Sequence, residues 1–299
     1  MIEHLEHRAI DREEWDRTLA GCANRNWYGR SWVLDIASPG WNALVDRERG
    51  AIMPLTWRSR WGIRYLHQPF GLQQLGVFAR DPDHGVSDAF LRAVPASYRY
   101  WDIYLNEAMG GVPVGRTQPC TQQVVDITGD AAVQRAAYSQ GHRRNLRKAE
   151  PFRELITGAI SAREFTALFT ATTGARYGIP DRDLQMMELL IDKAILRGEA
   201  CMLGMRDGGQ VVAAACIVEA EDRAIFLKSA ANERGHELHA MFLLVDHYLT
   251  RMGRAGRVFD FAGSNTPSVA RFNAGFGARS AIYLRLLRNA LPAPLRWLK

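Results

Sequence analysis

Cysteine is scarce in this sequence. The 299-residue chain has four, Cys22, Cys120, Cys201 and Cys216, and no two stand at CxxC spacing. Isolated cysteines read as buried thiols in a reducing compartment, which argues against a disulfide framework or a cysteine zinc site. No apolar run approaches the ~20 residues that a membrane-spanning helix needs. The opening MIEHLEHRAIDREEW lacks the apolar segment of a secretory signal. Low-complexity tracts and internal sequence repeats are absent. The expectation is a cytoplasmic protein. Also missing are GxxxxGKS/T, a strand-linked GxGxxG and GxSxG, which argues against a P-loop nucleotide triphosphatase, a Rossmann dehydrogenase and a nucleophile-elbow hydrolase. HELHA comes close to the zinc-protease HExxH, but His236 and His239 are three residues apart, not four. On one helix that spacing still puts both on one face, yet no third ligand is placed, so no metal is expected.

What the chain does have is ordinary globular content, 47% hydrophobic and 23% charged, with an arginine-led excess of +6. A sequence pI near 9.3 favours anionic partners such as phosphates, nucleic acid or acidic lipid. The length predicts two domains. Helical spacing runs through 5–37. WNALVDRERGAIMPLTWR reads as a β-hairpin turning at Gly50, 87–94 as a helix, and YRYWDIYLN as a strand. VPVGRTQPCTQ, with two prolines, reads as a loop, and QQVVDIT as a short strand. The boundary is therefore placed to give domains 1–125 and 126–299. In the second, SQGHRRNLRKAE is helical. Ser161 and Glu164 form a capping box, and DRDLQMMELLIDKAILRG is an amphipathic helix closed by Gly198. Three strands follow, ACMLGMR, QVVAAACIVEA and AIFLKSAA. Then come a long helix HELHAMFLLVDHYLTRMG, a strand RVFDFAGS, a short helix SVARFNAGFG and a last strand AIYLRLLR. The tail LPAPLRWLK reads as a packed terminal segment. The fold class is mixed α/β, with helices on a largely antiparallel sheet.

Three stretches carry chemistry. GHRRNLRKAE puts Arg143, Arg144, Arg147 and Lys148 on a helix as two neighbouring stripes, Arg143 with Arg147 and Arg144 with Lys148. Leu146 and Ala149 can face the core. Like charges one turn apart repel, and arginine's planar fork suits phosphate oxygens, so a phosphate surface is one reading and a solvated basic face the other. In RVFDFAGSNTPSVARFNAGFG a strand ends near Asp260. Gly263, Ser264, Asn265 and Thr266 form a turn, Pro267 opens a helix, and Arg271 and Phe272 follow on it. Free backbone N–H groups at such a helix start suit an anion or a carbonyl, and a plain connector is the alternative. Lys228 sits in an otherwise apolar strand, as an interior functional lysine or as an edge charge.

The order of elements, with HRRNLRKAE, FLKSAANERGHELHAMFLLVDHYL, DFAGSNTPSVARFNAGFGA and YLRL, resembles the GNAT acyltransferase superfamily. The branch it looks most like is the FemAB-like and BioF2-like one, in which two GNAT folds stand in tandem. The resemblance implies transfer of an acyl group to an amine, with acetyl-CoA or another acyl-CoA as co-substrate and no tightly bound cofactor. NERGHELHA stands where GNAT enzymes carry a pyrophosphate loop. Arg234 and Gly235 are present there, but the second glycine is not at the required spacing. Aminoacyl-tRNA is the alternative donor, acting on a cell-envelope precursor, and a GNAT-like binding protein without donor binding is a third reading. On this resemblance Arg143, Arg144, Arg147 and Lys148 would bind phosphate, Lys228, Asp260, Ser264 and Asn265 would line the cleft, and Arg271 with Phe272 would support it. Asp260 and His236 are the candidate bases.

Overall fold

A computed structural model describes residues 1–109, 112, 114–220, 222–263 and 265–292. The chain divides into two compact units, Met1–Cys120 together with the chain from Ile282 on, and Thr121–Ala281.

In the first unit, β1 (Glu3–Leu5), β2 (Asn42–Asp46), β3 (Ala51–Leu55) and β6 (Phe78–Ala79) form an antiparallel sheet in the order β1-β2-β3-β6. The hairpin read from WNALVDRERGAIMPL is β2–β3, and Gly50 takes φ 56° in its turn. A second group begins with β4 (Trp57–Arg60) and β5 (Ile63–His67), an antiparallel hairpin, and β5 pairs in parallel with β7 (Tyr98–Tyr104). Helices α1 (Arg12–Ala20), α2 (Ser31–Ala37) and α3 (His84–Ala93) belong to the same unit. Asp11 caps α1 by accepting from the Glu13 and Glu14 N–H groups, and Asp83 caps α3 at Val86.

The second unit takes β8 (Arg116–Asp126) from Thr121 on, then runs α4 (Ala131–Ala136), α5 (Gln140–Ala149), β9 (Ile156–Thr157), α6 (Ala162–Phe169), α7 (Ala175–Tyr177, one turn) and α8 (Asp181–Leu196). Then follow β10 (Ala200–Asp207), β11 (Gln210–Ala220), β12 (Arg223–Ala231), α9 (Glu233–Glu237), α10 (Ala240–His247), β13 (Val258–Gly263) and α11 (Pro267–Ala274). The strand order is β8-β13-β12-β11-β10-β9, antiparallel except for β12 with β13. β11 reads AAACIV because Ala213 through Val218 are all buried, as a central strand covered on both faces requires. The Ser161–Glu164 capping box forms at α6, and Gly198 takes φ 67° just past α8.

Three expectations change. The last strand, β14 (Arg279–Asn289), pairs antiparallel with β7 through Arg285–Asn289, so from Ile282 the chain groups with the first unit and not with 126–281. Local pattern cannot report such a return, because the pairing partner is remote in sequence. β8 begins at Arg116, inside the expected loop, with Pro119 in its exposed half; a proline is tolerated where no ladder N–H is needed. The expected single helix from His236 is broken, with His239 at φ 52° between α9 and α10. The buried residues explain the break. α9 buries Gly235 and is followed by buried Leu238, whereas α10 buries Ala240, Leu243, Leu244, Val245 and Asp246, so the break separates a turn buried on one side from a helix buried on most of its faces. One left-handed residue makes the break, and histidine is among the side chains that tolerate it. The tail from residue 293 lies outside the described residues.

Candidate active site

The parallel ladder between β12 and β13 is short. It pairs Arg223–Ile225 with Val258–Asp260 and ends there, although β12 continues to Ala231 and β13 to Gly263. A bulge accompanies the parting. Cys216 of β11 pairs with Lys228 and Ile217 with Phe226, so Leu227 is the extra residue. A bulge bends its strand and increases its twist, which turns β12 away from β13. Lys228 stands just beyond, partly buried, and desolvation lowers the pKa of its ammonium below the ordinary lysine range.

Asp260 ends the ladder, 2% exposed. Arg223 donates to its Oδ2 at 2.8 Å, and its Oδ1 accepts the Ala262 N–H at 2.8 Å. Ala262 is left-handed at φ 58°, an unusual state for alanine that this hydrogen bond helps to hold. Both Asp260 oxygens are thus engaged in shaping the strand end. Asn265 accepts from the Thr121 N–H at 2.9 Å and ties the turn to β8. Ser264 lies outside the described residues. Arg271 is exposed on α11, and Phe272 packs on Phe242, Phe276 and His142.

Helix α5 starts from Ser139, whose hydroxyl accepts the His142 N–H at 3.2 Å. His142, Leu146 and Ala149 form its buried stripe. The His142 Nε2 hydrogen-bonds the Phe272 carbonyl at 2.8 Å, and Nδ1 lies 3.1 Å from the Ser139 hydroxyl. Phe242, Phe272 and Phe276 surround the ring at centroid distances of 4.9, 5.7 and 4.6 Å. Gly275 lies so close beneath that any Cβ there would overlap the imidazole. Burial holds the His142 pKa below its ordinary value, so the ring is neutral and packs as an aromatic. These contacts tie α5 to α11.

The flank of α5 beside that stripe is basic. Arg143, Leu146, Arg147 and Glu150 line a cavity of about 510 Å³ together with Arg135 of α4 and Asp246 of α10. Asp246 is fully buried and takes a two-pronged contact from Arg135, at 2.8 and 2.6 Å. Arg153 binds Glu150 at 2.7 Å through two nitrogens and reaches Asp246 at 3.5 Å. Two acids therefore meet two arginines. Arg143 and Arg147 are the charge remainder, since Arg143 is held only by the Tyr138 and Ala136 carbonyls, at 2.5 and 3.2 Å, and Arg147 has no ion pair among the described residues. Arg144 and Lys148 form the neighbouring exposed stripe. Lys148 faces His239, whose pKa is lowered by desolvation and by that charge.

The structure thus brings Arg143 and Arg147 to one cavity and sets Lys228 and Asp260 at the ladder end. His236 is exposed on α9, apart from His239 across the helix break. Gly235 is packed against the Val212 carbonyl, which a Cβ would overlap. Sequence reading missed His142, Arg135 and Asp246. His142 had a local signal, since with Leu146 and Ala149 it completes an i, i+4, i+7 stripe.

Residues 133–268 match the family described as the acetyltransferase (GNAT) domain. No curated protein matches the sequence. Among solved structures, the fold is similar to FemX, with TM-score 0.65 and 14% identity over 99% of both chains. It is also similar to a tandem GNAT protein of the clavulanic acid biosynthesis pathway, with TM-score 0.54 and 16% identity over 98% of this chain and 100% of the other. L-PGS from Bacillus licheniformis aligns with TM-score 0.54 and 13% identity over 96% and 95%. The matched segment contains both the cavity and the parted strands. Residues 133–268 accordingly match the acetyltransferase (GNAT) domain family, and the fold of the chain is similar to that of FemX and of a tandem GNAT protein.

Proposed function

We propose that the chain transfers an acyl group from an acyl-CoA, acetyl-CoA being the simplest, to an amine. The observation that carries this is the end of the β12–β13 ladder inside a GNAT domain. Past Ile225 the inner edge of β12 no longer pairs with β13, and its backbone N–H groups are donors for an acyl carbonyl. The acceptor nitrogen attacks that carbonyl, the C–N bond forms, and the C–S bond breaks as the thiol leaves with a proton. Charge developing on the carbonyl oxygen is what such donors stabilise. Lys228, kept closer to neutrality by burial, stands beside this path. Asp260 and Ala262 set the shape of the strand end, and Arg143 with Arg147 take the donor phosphates. No helix among the described residues is long and apolar enough to cross a membrane, and we place the reaction in the cytoplasm.

A second donor, aminoacyl-tRNA, is favoured by one feature. Gly235 is used for close packing on Val212, so the segment before α10 is closed where a pyrophosphate loop would open. Phosphates held by an arginine stripe suit either donor. The test is the double variant Arg143→Glu, Arg147→Glu, titrated with acetyl-CoA and with aminoacyl-tRNA alongside a melting curve. Two lost charge-assisted contacts weaken binding by about 3–6 kcal/mol, a hundredfold or more. Unchanged affinity at unchanged melting temperature would remove the cavity from donor binding. The donor that shifts the parent's melting temperature identifies which reading holds.

A further inference from the structure

The hairpin β4–β5 has a feature that acyl transfer does not use. Its turn residues, Trp61 and Gly62, both take positive φ, 53° and 75°. Two such residues are the signature of a tight turn in which glycine, asparagine or aspartate is unstrained and a bulky side chain is not. Burial offers no compensation, because Trp61 is 72% exposed. Its ring meets the neighbouring Arg60 guanidinium, 4.3 Å from the ring centroid. A strained residue at an exposed turn points to use outside the fold.

The surroundings define that use. In the hairpin register Trp57 faces Leu66 and Ser59 faces Arg64, while Arg58 faces Tyr65 and Arg60 faces Ile63. Leu66 is buried in the core and Trp57 packs on the same cluster. Strand alternation therefore turns Arg58, Arg60, Ile63 and Tyr65 to the other face. Arg64 lies over the Trp57 ring at 4.9 Å with an exposed side chain. β4 is the last strand in its order, so this face is on the margin of the sheet. From Arg49 to Arg80 the sequence has five arginines and no aspartate or glutamate.

We infer that the β4–β5 hairpin is a docking tip for an anionic phospholipid surface. Trp61 enters the headgroup layer, the level at which an indole has both apolar contact and a partner for its N–H. Arg58 and Arg60 meet lipid phosphates, and Ile63 adds apolar area beside the indole. Nucleic acid fits the same charge less well. Strand-tracking sites stack successive bases on a row of exposed rings, whereas here one exposed ring stands at a turn beside an aliphatic side chain.

The experiment is flotation of the full chain with vesicles of phosphatidylcholine alone and of phosphatidylcholine mixed with phosphatidylglycerol. The parent is expected to bind the mixed vesicles and not the neutral ones, with a blue shift of Trp61 emission. Trp61→Asn is expected to weaken that binding by about tenfold or more, while its melting temperature stays level or rises, since asparagine suits the turn. Arg58→Gln with Arg60→Gln should weaken binding and flatten its dependence on salt. Parent protein that ignores both vesicles would overturn the inference. So would a Trp61→Asn variant that binds like the parent, or one that melts markedly earlier. Selective loss of tRNA binding in Trp61→Asn, without vesicle binding in the parent, would make the tip a nucleic-acid contact instead.

Discussion

Replacing Gly275 by alanine isolates the joint that holds the basic helix. Gly275 has φ −66°, an ordinary right-handed value, so the backbone takes alanine without strain. The whole cost comes from the new methyl meeting the His142 imidazole. To make room the ring must give up its hydrogen bond to the Phe272 carbonyl and its contact with Ser139. At a net ~0.5–1.5 kcal/mol each, plus about 1–3 kcal/mol for overpacking among Phe242, Phe272 and Phe276, the expected loss is about 2–6 kcal/mol. His142→Ala should lose about 3 kcal/mol through the vacated space and the broken hydrogen bonds. The double variant is the discriminating one. With the ring gone, the Gly275 methyl has space, so the double should cost little more than His142→Ala alone, a coupling of about 2–6 kcal/mol between the sites, nearly the whole Gly275→Ala loss. Urea denaturation of the four proteins measures it. Losses that add within about 0.5 kcal/mol would refute the joint. The parent carries a pH signature too. The His142 pKa is depressed when folded, so the unfolded chain binds the extra proton, and stability falls as pH drops below the ordinary 6.5. His142→Ala should flatten part of that slope.

Gly235→Ala forces α9 off the Val212 carbonyl and should cost about 2–4 kcal/mol, read as a lower melting temperature; an unchanged melting temperature with lost donor binding would make the glycine a ligand contact. Glu164 is held down to about 2, first by the Ser161 backbone N–H and then by Arg206. Its contribution is therefore full above its ordinary 4.5 and lost as pH falls toward 2. A carboxyl titration by NMR with its midpoint at an ordinary glutamate value would show that the capping box and the Arg206 pair do not form in solution.

Much of the second unit was legible because its signals are local. The Ser161–Glu164 box, Gly198 and the turns between β10, β11 and β12 each specify structure within a few residues. The turns fix antiparallel neighbours, and the buried run of β11 identifies a central strand. What stayed hidden is remote. β14 pairs with β7 across some 180 residues of sequence, and no periodicity in AIYLRLLR distinguishes that partner from a nearer one. The break at His239 was hidden for another reason. HELHAMFLLVDHYL is a good helix by propensity, and tertiary packing, with Gly235 seated against the Val212 carbonyl, overrides it.

The site divides along the same line. Residue type alone nominated Asp260 and His236, because carboxylates and imidazoles are the usual proton carriers. Their environments are opposite, though, one buried under Arg223 and the other exposed on a short helix. A carboxylate with both oxygens bound sets geometry more readily than it moves protons. For the arginines the missing information was bookkeeping. Glu150 follows α5 directly and is the one acid near the stripe in sequence. Only the fold shows that Arg153 takes Glu150 and that Arg135 takes Asp246, from a helix about a hundred residues away. Once those acids are matched, the charge left in the cavity belongs to Arg143 and Arg147. An anion entering there displaces no buried acid from its partner, so the ligand's charge meets two arginines whose mutual repulsion it relieves.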